Sequence, residues 1–194
     1  MLYKSKFVSN YLNSVSYNDN SNKGFHVIQS SHERTGSTLA YNLLCGLIQP
    51  RKNQSLGGPE WTKGKKKDLA FIIKTHSPIN EWIRCYPDLK LFFVTTERKK
   101  YGTGPLSKYH SHPQVAVFKY EKLLETDTYS IEDIVDYAYN TLKTLLPNTV
   151  TLNKDDALKR IQMMNEVEQE LKDKPYKDDE YEPFTGIHGS HRNR

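Results

Sequence analysis

Residues 25–38, FHVIQSSHERTGST, decide the fold. Phe25, Val27 and Ile28 carry the aromatic and β-branched content of a buried strand, and the polar residues after them form a loop that opens a helix beginning STLAYNLLCGLI. Gly36, Ser37 and Thr38 put small side chains where a helix amino terminus must approach something closely. The first N–H groups of a helix have no partner within it and carry partial positive charge, so this turn is a cradle for an oxyanion such as a phosphate. A Ser/Thr/Gly start is also ordinary helix capping, and the stretch by itself leaves both readings open.

Outward from this stretch, three more apolar runs follow: residues 69–74 (LAFIIK), 89–96 (LKLFFVTT) and 115–119 (VAVFK). Continuous apolar runs belong to strands buried on both faces, and here they alternate with helical periodicity. Leu39, Leu43, Leu44 and Leu47 recur at helical spacing over residues 36–48, before Pro50 stops the helix. Ser130 begins a capping-box-like Ser-Ile-Glu-Asp ahead of the stripe Ile131, Ile134, Val135, Ala138, Leu142 and Leu145, while Asn153 caps a second helix with the stripe Leu158, Ile161, Met164, Val167 and Leu171. Strands alternating with helices imply βαβ units, a parallel sheet, and a ligand at the strands' carboxyl ends. The polar residues that follow each strand are therefore the candidates for chemistry.

The 194 residues are read as one domain, with an arm over residues 1–24 and a tail over 176–194. The arm is either frayed or packed on the body through Tyr3, Phe7 and Tyr11. A hydrophobic content of 36% and a mean hydropathy of −0.76 are low for such a domain, but 13 Tyr and 7 Phe supply large amphipathic side chains to fill a core. The net charge of +5 suits an anionic ligand of any kind. Two cysteines, Cys45 and Cys85, are too few for a disulfide framework, which points to a reducing, cytoplasmic setting. The amino terminus lacks an apolar leader and no long apolar run follows, so no membrane partner is expected, and no nucleic-acid-binding motif is recognised. Residues 51–68 form a long loop with Trp61 and four lysines between Lys63 and Lys67, either a solvated face or a basic lip. His110 with His112, and His188 with His191, have ligand-like spacing without the rest of a zinc set, so no metal is expected.

Lys74 and His76 lie just beyond a buried strand and two positions apart, so both side chains are expected to point into one site. A lysine supplies a fixed cation, and a histidine can take the proton of a hydroxyl that acts as a nucleophile. At the first loop, the pattern of a nucleoside triphosphatase, GxxxxGK followed by Ser or Thr, fails: Ser31 stands for the first glycine and Ser37 for the lysine, leaving Arg34 as the loop's cation.

Glu33-Arg34-Thr35-Gly36-Ser37-Thr38 resembles instead the PKSGTTW loop of the cytosolic sulfotransferases, with Arg for Lys and Leu39 for Trp. Further matches follow in the same order. Residues 73–78 (IKTHSP) resemble the family's IKTHLP segment, and residues 93–98 (FVTTER) its YVxRN segment. Residues 118–123 (FKYEKL) resemble FYEDMK, and residues 186–192 (GIHGSHR) fit GxxGxxK with Arg for Lys. The Arg-Lys pair that precedes the last element in the family is replaced by Phe184-Thr185.

The resemblance spans residues 33–192 and implies an α/β fold of three layers, P-loop-like, with a central parallel sheet and helices on both faces. It implies transfer of a sulfonyl group from 3′-phosphoadenosine 5′-phosphosulfate to a hydroxyl or amine of a small-molecule or glycan acceptor, with adenosine 3′,5′-bisphosphate as product and no metal. His76 would be the base, with Lys74 and Arg34 at the transferring group and Arg34, Thr35, Gly36, Ser37 and Thr38 at the 5′-phosphosulfate. Arg98, Gly186, Gly189 and Arg192 would hold the 3′-phosphate, joined by Ser107 after a one-residue insertion, or by Thr103. An inactive nucleotide-binding protein of the same fold, and a P-loop kinase, are the alternatives. Residues 51–68 and 101–113 are expected to shape the acceptor pocket.

Overall fold

A computed structural model describes residues 5–15, 25–32, 35–49, 53–55, 59, 72–99, 111–124, 129–173, 181–182 and 184–188. Five strands, β1 (His26–Ser30), β2 (Asn53–Ser55), β3 (Ile72–Thr75), β4 (Leu91–Glu97) and β5 (Val115–Lys119), form one sheet in the order β2-β3-β1-β4-β5. Every pairing in it is parallel, with Val27 opposite Ile72 on one side and Phe92 on the other. The fold is α/β in three layers, as the alternation of runs requires.

The pleat divides the core in two. Val27, Ile72, Phe92, Val94, Ala116 and Phe118 share one cluster in which α2 (Ser37–Ile48) and α5 (Ile131–Leu145) pack on the strands, α6 (Lys154–Asp173) packs on those two helices, and α1 (Lys6–Ser14) packs on α6. Ile28, Ile73, Leu91 and Phe93 face the other way, against Ile79, Trp82 and Tyr86 in and just beyond α3 (Ile79–Cys85). Strands covered on both faces must be apolar throughout, which is why they read as unbroken runs. β2 departs from this rule: its sequence, NQS, carries no strand signal, and it falls inside the long loop expected from Pro50 onward. It is an edge strand whose only neighbour is β3, so backbone pairing defines it.

Both caps expected from the sequence form. Ser130 and Asp133 make a reciprocal capping box at the start of α5, and the Asp133 carboxylate, accepting from Ser130 Oγ and from Ser130 N, is held below its usual value. Asn153 Oδ1 accepts from Asp156 N at 3.2 Å at the start of α6. The described part of the amino-terminal arm, residues 5–15, packs on the body: Val8 and Tyr11 of α1 are buried, and Tyr11 stands 5.9 Å from the Phe184 ring. Tyr3 lies outside the described residues.

α2 is buried on nearly all sides, which its sequence LAYNLLCGLI permits because it is apolar except for Asn42, whose amide is hydrogen-bonded within the core. It approaches α6 so closely that a Cβ on Gly46 would stand 2.6 Å from Ala157 Cα and 3.0 Å from Arg160 Cβ. Gly46→Ala sets about 1 kcal/mol of helix propensity against about 1–3 kcal/mol of overpacking, and overpacking wins because the obstructing atom is backbone. A net loss of up to about 2 kcal/mol is expected, read as a lower urea midpoint at unchanged slope.

Helix α4 (Tyr120–Leu124) continues β5, and a two-stranded antiparallel ladder, β6 (Tyr181–Glu182) with β7 (Ile187–His188), ends the described chain. No helix among the described residues is long and apolar enough to cross a membrane.

Candidate functional site

The sheet turns over at β1. Its onward connection leads past β3 to the edge strand β2, while that of its other neighbour, β4, leads to β5 in the opposite direction. In open α/β sheets such a divergence opens a crevice beyond the carboxyl ends of the strands, and the residues that follow β1, β3 and β4 meet there.

Gly36 adopts φ 83° and ψ 20°, a left-handed conformation open to glycine and strained for a residue with a Cβ, and it stands at the N-cap of α2. A glycine has no side chain with which to cap, and no other described side chain caps this helix start. Its first N–H groups therefore keep the partial positive charge that attracts an anion. The loop is braced from below. Ser31 Oγ accepts from Gln29 Nε2 at 2.5 Å and from Thr96 N at 2.8 Å. Thr35 Oγ1 donates to the His32 carbonyl at 2.6 Å, so the 2.6 Å contact between the two threonine hydroxyls is donated by Thr96. Gln29, Ser31, Thr35 and Thr96 are all buried, a polar layer under the loop in which Gln29 Oε1 finds no partner among the described residues.

Lys74 sits in this layer, 2% exposed, with Nζ donating to Thr38 Oγ1 in the first turn of α2 at 2.8 Å. This corrects the expectation that Lys74 and His76 present themselves alike: Lys74 supports the cradle from beneath, whereas His76 is exposed above the strand end. The reason is that β3 ends at Thr75, where strand alternation stops. His76 Nδ1 lies 2.6 Å from the Ser31 carbonyl oxygen. A carbonyl only accepts, so Nδ1 carries the proton, and Nε2 of the neutral ring is left as its basic nitrogen. Ser30 Oγ, donating to the Ser77 carbonyl at 2.6 Å, ties the β1 and β3 ends together a second time.

Arg98 follows β4 and stacks on Tyr120, with its guanidinium carbon 4.0 Å from the ring centroid. Glu121 accepts from Lys99 N at 2.8 Å, which holds the same turn from α4. Burial would raise the Glu121 carboxyl, but this bond and the charges of Lys99 and Arg98 bring it below its usual value. Tyr120, in the stretch that resembles FYEDMK, supplies the ring on which Arg98 lies.

At the carboxyl terminus, Gly186 takes φ 72°, again left-handed, and its N–H bonds to the Glu182 carbonyl at 2.9 Å. Its amide thus serves the β6–β7 turn, whereas the resemblance sets Gly186 at the 3′-phosphate. Arg34, Thr103, Ser107, Gly189 and Arg192, together with Trp61 and Lys63 to Lys67, lie outside the described residues, as do all but a few positions of the two segments expected to shape an acceptor pocket.

Of the expected residues, Thr35, Gly36, Ser37, Thr38, Lys74 and His76 come together at the start of α2, and Arg98 follows the next strand. Ser31 and Thr96 were missed, although each follows or ends an apolar run on the same pleat face as Lys74. The buried Arg160 was also missed, because in the sequence it stands beside Lys159 with nothing to distinguish the two. No protein-family model matches the chain, and no curated protein matches it.

Proposed function

We propose that this chain is a sulfotransferase of the P-loop-like kind, moving a sulfonyl group from 3′-phosphoadenosine 5′-phosphosulfate to an acceptor hydroxyl or amine. The observation that carries the reading is the meeting of three elements at one helix start: the left-handed Gly36 turn, the buried Lys74 on Thr38, and His76 oriented by the Ser31 carbonyl. The residues fit the donor, because a helix terminus that no described side chain caps, with a cation beneath it, complements a 5′-phosphosulfate, and an arginine on an aromatic face at the next strand end complements a second phosphate.

When bound, the donor supplies an activated sulfonyl group whose bond to the bridging oxygen breaks as the acceptor atom bonds to sulfur. His76 takes the acceptor's proton on Nε2, since Nδ1–H is committed to Ser31. Lys74 and the N–H groups of Thr35 to Thr38, with Arg34 by the resemblance, stabilise the charge that builds on the departing oxygen. The polar layer under the loop keeps these groups in place before substrate arrives, so no reorganisation is needed during the reaction.

A calorimetric titration tests the proposal. Adenosine 3′,5′-bisphosphate is expected to bind in the micromolar range or tighter, with equal affinity in EDTA and in magnesium. A preference for magnesium–ATP overturns the reading in favour of a P-loop kinase.

A further inference from the structure

Arg98 stands just past the carboxyl end of β4, two residues beyond Thr96, whose N–H and hydroxyl are bonded to Ser31 and Thr35 of the cradle loop. Two residues of extended chain span at most about 7 Å, so a ligand seated at the start of α2 lies within reach of an arginine anchored there. What holds this arginine comes from β5 and α4. The β4–β5 ladder ends at Glu97 and Lys119, whose side chains form an ion pair. In the residues that follow, Lys99 N donates to Glu121 Oε1 at 2.8 Å, and the Arg98 guanidinium lies on the Tyr120 ring, 4.0 Å from its centroid. The backbone just before Tyr120 is pinned in turn by α5: the Tyr137 hydroxyl accepts from Lys119 N at 3.0 Å and donates to the Val117 carbonyl at 3.4 Å.

The Glu121 carboxylate feels the charges of Lys99 and Arg98, so this turn carries both signs, and the direction in which the guanidinium is turned decides what it can hold. An arginine side chain has several rotatable bonds, and an unrestrained one must be immobilised at each binding event at a cost in entropy. A carboxylate can restrain it, but only by occupying its N–H donors and neutralising its charge. An aromatic ring restrains it differently. The ring takes the face of the guanidinium, whereas the N–H donors lie in the guanidinium plane, so stacking fixes the fork without consuming the donors that a phosphate needs and without adding negative charge.

We propose that Tyr120 is a positioning residue for the donor's second phosphate, acting through Arg98: its ring, set by α4 and by the Tyr137 hydroxyl behind it, presents the guanidinium to a nucleotide whose first phosphate lies at the start of α2. This rests on the sulfotransferase reading. It goes beyond it in assigning the choice between a nucleotide with two separate phosphates and one with a single phosphate to an uncharged ring that makes no phosphate contact of its own.

The test compares adenosine 3′,5′-bisphosphate with adenosine 5′-phosphate by calorimetry on the full chain, well below each variant's measured melting temperature. The wild type is expected to favour the bisphosphate by about tenfold or more, because the monophosphate forgoes the charge-assisted contact to Arg98. Tyr120→Leu is expected to reduce that preference to about threefold or less with affinity for the monophosphate nearly constant, and Tyr120→Phe, which keeps a ring, to stay within about twofold of the wild type. A role confined to packing would lower the melting temperature of Tyr120→Leu and leave the preference where it was. That outcome overturns the inference, as does equal loss of preference in Tyr120→Phe and Tyr120→Leu, or affinity for both nucleotides falling in parallel; each leaves the sulfotransferase reading standing. A wild type with no preference for the bisphosphate overturns the reading itself. Nuclear magnetic resonance on the wild type decides the matter where Tyr120→Leu does not fold. The Arg98 Nε–H proton, identified by its absence in Arg98→Lys, is expected upfield of the usual arginine position because of the Tyr120 ring current, and to move on addition of the bisphosphate and not of the monophosphate while remaining upfield. A proton at the ordinary position in the bisphosphate complex, or one that the bisphosphate does not move, overturns the proposal.

Discussion

Under the proposed function, His76→Ala is expected to lower the rate of sulfonyl transfer by about 10²-fold or more, with the affinity for adenosine 3′,5′-bisphosphate changed by less than about threefold. The two effects separate because of where the ring sits. Its only described tether is from Nδ1 to the Ser31 carbonyl, and it is exposed at the strand end, so its loss removes the base without disturbing the layer beneath the loop. Lys74 is the contrast. With Nζ buried on Thr38, its removal would loosen the first turn of α2 and weaken the nucleotide together with the rate. Steady-state rates with a phenolic acceptor, paired with calorimetry on the product nucleotide, distinguish the two. Binding lost in step with activity in His76→Ala would place the histidine in the donor site and remove its role as base.

The second large effect lies on the opposite face of the sheet. Trp82→Ala is expected to destabilise the fold by about 3–5 kcal/mol, a large share of the roughly 5–15 kcal/mol that holds a domain together. α2 and α5 cover the other face, with α6 and α1 packed behind them, but α3 is the described helix on this one, and Trp82, fully buried, packs in one cluster with Ile28, Ile73, Ile79, Leu91 and Phe93. The residue is not optimal, however. Its Nε1–H finds no partner among the described residues, and a buried donor left unpaired costs about 1–3 kcal/mol. Trp82→Phe should therefore recover most of the loss, because it keeps an aromatic ring beside Tyr86 and removes the unpaired donor. Urea denaturation of both variants checks the ordering; Trp82→Phe as damaging as Trp82→Ala would show that shape, and not the indole N–H, governs the site.

Much of the architecture is written locally. Strands that must be apolar on both faces can be recognised one by one, and FHVIQS, LAFIIK, LKLFFVTT and VAVFK each contain or overlap a strand of the sheet. The helices after Ser130 and Asn153 begin at their caps because a cap is satisfied by a backbone N–H three residues away. The left-handed Gly36 could likewise be anticipated at a strand-to-helix turn. In each case the interacting groups are neighbours in the chain.

What the tertiary structure alone decided involves groups that are far apart in sequence. Asn53–Ser55 becomes a strand because β3 offers it a row of backbone partners, not because its residues favour extension. The burial of Lys74 follows from α2 crossing above it, and the orientation of His76 follows from the Ser31 carbonyl, 45 positions earlier. Arg160 meets Asn42 across 118 positions and the Phe184 carbonyl across 24, and no periodicity in α6 reveals either contact. The sequence by itself determined which segments are strands and helices and which loop opens at a helix start, because propensity, patterning and capping act over a few residues. Strand order, the buried polar layer and the tie between the carboxyl-terminal turn and α2 were decided only when the chain closed on itself, because a buried polar group takes whichever partner folding brings within hydrogen-bond reach.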